Sequence, residues 1–105
     1  MTELEWLACE EPDLLLEVVE GKATRKQLVE FVRRCWVRIT PYLPAVKSKS
    51  TVVEEFTALA DQMSDHDAVL YAAEAALKAA RWAPVFKEEQ RQQAALLRQI
   101  VDRPC

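Results

Sequence analysis

The stretch TRKQLVEFVRRCWVRI, Thr24 to Ile39, carries the clearest periodicity in the chain. Leu28, Phe31, Val32, Cys35, Trp36 and Ile39 recur at intervals of three and four, the spacing of one face of an α-helix. Thr24 is the expected cap, because its side-chain oxygen can accept from an otherwise unpaired first-turn N–H. Pro41 and Pro44 end the segment, since each lacks a donor and drives its predecessor toward extended geometry. A loop from Tyr42 to Lys49 is expected to follow.

Similar signals lie on both sides of this helix. Gly21, the only glycine in the chain, is placed as the C-cap of a shorter helix that opens at Pro12 and draws its apolar residues from Leu14 to Val19. Ahead of it, Thr2 and Glu5 have capping-box spacing and open a first helix from Glu3 to about Cys9, with Leu4, Trp6 and Leu7. Beyond the loop, Ser50 caps a fourth helix whose Val52, Val53, Phe56, Leu59, Ala60 and Met63 mark one face. Ser64 caps a fifth, from about Asp65 to Arg81. There Asp67, Glu74, Lys78 and Arg81 form a single polar line on an otherwise apolar, alanine-rich cylinder. This helix is expected at the centre of the fold, with Ala72, Ala76 and Ala80 letting a neighbour approach closely. Pro84 opens a sixth helix, anchored by Phe86 and by Leu96, Leu97, Ile100 and Val101, with the polar run Lys87 to Gln93 expected in solvent.

Composition agrees with these signals. The chain has 105 residues, half of them apolar and 30% charged, which suits one globular domain spanning 1–105. A single glycine, against an average near ~7%, leaves little material for hairpin turns or phosphate-binding loops. The expectation is an all-α fold, a compact irregular bundle of five or six short helices. The longest apolar stretches, Ala68 to Ala73 and Ile39 to Val46, fall far short of the ~20 residues that span a bilayer. The acidic opening residues lack the pattern of a secretory signal, so a cytoplasmic location is expected. Cys9, Cys35 and Cys105 are odd in number and widely spaced, and His66 is the only histidine, so neither a disulfide framework nor a metal site is indicated. Cys9 and Cys35 read as small buried apolar residues and Cys105 as a terminal thiol.

The segment Thr2-Glu3-Leu4-Glu5-Trp6-Leu7-Ala8-Cys9, followed by Pro12-Asp13 and Leu15, resembles a group of small planctomycete proteins that open T-E-x-E-W-L-x-C-x-D-P-x-x-M-L. Arg25-Lys26 and Phe31, then Arg33-Arg34 and Trp36, are similar to that group's R-K-L-x-L-F and C-C-R-R-x-W segments, and Gln93 to Ile100 to its closing Q-x-x-L-L-R-x-I. The resemblance implies a lineage and brings no activity with it. The group often crowds several cysteines before its Arg-Arg pair. Here that segment holds only Cys35, so no metal or redox role carries over.

Charge is the one pattern that folding does not absorb. Residues 1–20 hold seven acids and no base, residues 21–50 eight bases and one acid, and the remainder nine acids and six bases. The bases of the middle segment are Lys22, Arg25, Lys26, Arg33, Arg34, Arg38, Lys47 and Lys49. Five of them, Arg25, Lys26, Arg33, Arg34 and Arg38, are the candidate partner-binding residues, a basic strip for an acidic protein or a nucleic acid. The competing expectation is that the acidic first two helices pack beside the strip and neutralise it. A helix-turn-helix built from the second and third helices would place Thr24, Arg25, Lys26 and Gln27 where base contacts usually occur, but the net charge of −3 and the acidic second helix oppose it.

Asp65-His66-Asp67 is the one cluster that could suggest proton transfer, yet adjacent helical residues point in different directions, and first-turn acids complement the helix dipole. With no catalytic residues, cofactor site or metal site to name, the expected function is a non-enzymatic protein–protein interaction or accessory module able to self-associate. The alternative is a nucleic-acid-binding regulator using the basic face of the Thr24–Ile39 helix. Trp36 reads as core, while Trp6 and Trp82, beside helix ends, are candidates to cover a neighbour in a dimer.

Overall fold

Three of the four expected side-chain caps open a helix. The Thr2 hydroxyl accepts from the Glu5 N–H at 3.2 Å and the Glu5 carboxylate from the Thr2 N–H at 3.1 Å, closing the box that starts α1 (Glu3–Ala8). Thr24 and Gln27 make the same reciprocal pair at 3.0 and 2.8 Å ahead of α3 (Arg25–Ile39). Ser64 accepts from the Asp67 N–H at 3.1 Å ahead of α5 (Asp65–Ala80). Between them lie α2 (Pro12–Val18) and α4 (Lys49–Leu59), and α6 (Phe86–Ile100) follows. Short 3-10 turns extend α3 over Thr40–Tyr42 and α4 over Ala60–Gln62.

The structure is a computed structural model that describes residues 2–42 and 49–101, with side chains described over 2–42 and 53–101. Pro44, Lys47 and Cys105, and the side chains of Lys49, Ser50 and Val52, lie outside the described residues. Among the described residues every regular element is helical, so the fold is an all-α compact bundle. No helix among them is long and apolar enough to cross a membrane.

The densest packing in the molecule is between α3 and α5, and α3 also packs on α4 and α6. On the other side, α2 packs on α5 and α6. The Cα envelope measures 41 × 32 × 17 Å, and the shortest dimension accommodates two helix layers at the usual spacing of about 8–10 Å. Leu28, Phe31, Val32, Cys35, Trp36 and Ile39 are all buried, as their period requires. Ala68, Ala72, Ala75, Ala76, Ala79 and Ala80 are buried on α5. The expected polar line of α5 is exposed, and Leu70 is exposed with it. Centrality is shared: α3 packs on α4, α5 and α6, and α5 on α2, α3 and α6.

Several boundaries and faces depart from expectation. Lys49 is already helical, so Ser50 lies inside α4 rather than capping it. Helix α2 ends at Val18, and the chain reverses three residues later at Gly21, whose φ of +79° suits a residue without Cβ. Leu59 is exposed where the α4 face was expected to be buried, whereas Phe56 and, in the 3-10 turn that follows, Ala60 are buried as expected. Helix α6 starts at Phe86 rather than Pro84, and its middle is not solvated. Glu89 and Gln93 are buried while Phe86 is partly exposed, since α3 and α5 cover the polar side chains at those positions. Trp6 is buried, and Arg98 of α6 holds the end of α1 by donating from Nη1 to the Cys9 carbonyl at 2.6 Å.

Enlarging a buried α5 alanine should force α3 and α5 apart. Ala72→Leu is expected to cost about 1–3 kcal/mol in urea unfolding, whereas Leu70→Ala, on the exposed line of the same helix, should change stability by less than about 0.5 kcal/mol.

Candidate interaction surface

The basic strip does not stay together. Arg25, at the first position of α3, turns toward the α4–α5 junction. Its Nε donates to the Ala60 carbonyl at 3.0 Å, its Nη2 to the Met63 carbonyl at 2.7 Å, and its Nη1 to Asp65. It thereby binds carbonyls where the α4 segment ends, the site where a cation complements the helix dipole, although Ala60 already accepts from the Met63 N–H. Arg33 and Arg34 share one acid on their own helix. Arg33 Nε and Nη2 donate to the two Glu30 oxygens at 3.0 and 2.5 Å, and Arg34 Nε donates to Oε1 at 2.8 Å. These hydrogen bonds hold Glu30 well below the usual carboxylate range, from 4.5 to about 2, and Glu30 in turn raises Arg33.

Arg38 reaches α6. Its Nε donates to Glu89 Oε1 at 2.7 Å, and longer contacts of 3.3 Å run to Oε2. Glu89 is only 6% exposed, so this pair supplies the positive partner that a buried carboxylate requires, and Glu89 correspondingly raises Arg38. Next to the pair, Cys35 is wholly buried, and desolvation, with Glu89 adding to it, pushes its thiol far above the ordinary range. Cys9 is only half-buried, against expectation.

Lys26 is exposed and makes no ion pair among the described residues. It lines a shallow groove with Thr24, Gln27, Glu30, Arg34 and Ile100, so Lys26 and Arg34 are the two candidates that share an opening. The Gln27 amide that would head a recognition helix instead donates to the Ile100 carbonyl at 3.2 Å, which seats the end of α6 beside the start of α3.

Intramolecular neutralisation thus occurs, through acids other than those expected. Glu30, Asp65 and Glu89 hold the strip, while the acidic first two helices look elsewhere: Glu10 pairs with Arg91 at 3.2 Å and Glu20 with His66 Nδ1 at 2.7 Å. Asp65, His66 and the Asp67 N–H each go to a different partner, Arg25, Glu20 and Ser64. Among the described residues no three His, Cys, Asp or Glu side chains converge in a way that could hold a metal.

A second surface emerges at the N-terminus, where sequence reading looked to the tryptophans. On α1 the only buried residue is Trp6, while Leu4 is 79% and Leu7 58% exposed. They lie three residues apart and therefore on one helix face. Leu14 on α2 is also exposed. The signal was present in the sequence as a surplus: α1 carries three large apolar residues on under two turns, more than one face can bury. No protein-family profile, curated protein or solved structure matches this chain.

Removing the guanidinium of Arg38 strands Glu89 without a partner. Arg38→Met should therefore destabilise by about 1–3 kcal/mol, and Arg38→Met with Glu89→Met should recover most of that loss in the same unfolding assay. Glu30 sets a pH dependence of known sign. Its folded value lies below its unfolded one, so its contribution is complete above about 4.5 and is lost as pH falls toward about 2. Glu30→Gln should flatten the stability profile across that window and leave it unchanged at pH 7 in shape.

Proposed function

We propose that this chain is a non-enzymatic interaction module that self-associates through the outward leucines of its first helix. The observation that carries the reading is the exposure of Leu4 and Leu7 on a helix of six residues. A helix that short is well below the ~12–15 residues at which isolated helices become even marginal, so packing must hold it. Trp6 and the Arg98 bond anchor its inner face. Its outer face presents two leucines to water, each worth about 1.5–3 kcal/mol when fully covered. A two-fold contact would cover both copies at once, since the same patch serves on each side.

The nucleic-acid alternative draws on the same five basic residues, and four of them already spend their charge on carboxylates of the chain. The Lys26–Arg34 groove is what remains for it. Unpaired thiols at Cys9 and Cys35 suit the reducing cytoplasm, which is the setting we propose.

Light scattering across a concentration series tests the reading. The wild-type mass should rise from 12.0 kDa toward twice that value, and Leu4→Asp with Leu7→Asp should hold it at the monomer with the helical signal unchanged. A wild-type chain that stays monomeric at high concentration overturns self-association. A mobility shift with duplex DNA at low salt, disappearing steeply as salt rises, would transfer support to the basic groove.

A further inference from the structure

The outward leucines of α1 stand among carboxylates. Residues 1–20 hold seven acids and no base, and all seven acids are exposed. Of the cations on α6 that reach α1 and its link to α2, Arg98 is half-buried at the Trp6 and Cys9 carbonyls, and Arg91 is shared between Glu10 and Glu88. Glu11 and Glu17 make no ion pair among the described residues.

Spacing puts these charges beside the apolar residues. Glu11 follows Leu7 by four residues, a length of chain that spans at most about 14 Å. It is also the N-cap of α2, and Glu17 lies one turn beyond the exposed Leu14. In a two-fold contact each residue near the axis meets its own counterpart. Carboxylates bordering the leucines of one copy therefore approach the same carboxylates of the other, and no base within residues 1–20 offsets them. Burial of the leucines draws the copies together while like charge holds them apart. The balance belongs to the solution. With the leucines in contact, the two copies of Glu11 stand on the order of 30 Å apart or less, which is within the screening length of ~30 Å at 0.01 M salt and beyond the ~8 Å of physiological ionic strength.

We infer that self-association through α1 is gated by ionic strength: dissolved ions that screen Glu11, Glu17 and their counterparts on the second copy release the leucine contact, which dilute salt opposes. The inference rests on the self-association read from Leu4 and Leu7 and adds the condition that controls it. Its sign is the reverse of that for an interface held by ion pairs. A contact between the acidic side of one copy and the Lys26–Arg34 groove of another would be weakened by salt.

Light scattering of the full chain over a concentration series, repeated at about pH 7.5 and from about 10 to 300 mM sodium chloride, measures the dimer constant across the screening range. Dimerisation should tighten about tenfold between those limits, the effect of screening a few like charges at such distances. Glu11→Gln with Glu17→Gln, both at exposed positions, should associate more tightly than wild type in dilute salt and equally in concentrated salt, with the same far-UV circular dichroism. Equal tightening of wild type and variant overturns the proposal, because general salting-out would then act in place of the named charges. A dimer that salt weakens or leaves unchanged also overturns it, while self-association itself stands. A chain that stays monomeric at every salt concentration removes self-association and this inference with it.

Discussion

Close approach of α3 to α5 is the constraint on which the rest of this bundle depends. Alanines along the buried side of α5 present almost no side-chain bulk, and α3, which buries the larger Leu28, Phe31, Val32 and Cys35, lies closely against it. The arrangement divides the work: one helix supplies volume and the other supplies room. It also sets where everything else can go. Helices α4 and α6 settle on the remaining sides of α3, and α2 closes the other side of α5.

Around that pair, arginines act as fasteners between elements. Arg25 ties the start of α3 to the junction between α4 and α5, Arg38 ties its end to Glu89 of α6, and Arg98 ties α6 to the carbonyl end of α1. Each guanidinium offers several donors in one plane, which lets it serve a carbonyl and a carboxylate together, as Arg25 does. The segregated charge of the sequence therefore has a structural use. The acids of the first twenty residues stay largely on the surface, giving the α1–α2 side its negative character.

The helices were legible wherever a local rule determines them. Capping at Thr2, Thr24 and Ser64 is a contact between residues three apart, and the buried face of α3 follows from a period of 3.6. The surfaces were less legible. Lys87 to Gln93 reads as a solvated run because its residues are polar, yet Glu89 and Gln93 face inward, and only the positions of Arg38 and Ala76, 51 and 17 residues away, make that tolerable. The five basic residues read as one strip on one helix, but long side chains swing toward acids brought near by folding, and the strip separates into three places.

The sequence by itself determined an all-α chain of five or six helices, most of their starts and the apolar face of α3, because those depend on neighbours within a turn or two of the chain. Tertiary structure alone decided which charges are spent internally, which leucines stay uncovered, and that Gln93 of a polar run is buried against α5. Each of these is a question of what stands opposite a side chain, and the partner comes from a distant part of the sequence. For Thr24 to Ile39 the division is visible in a single helix: its period settled what it buries, and its neighbours settled what its arginines hold.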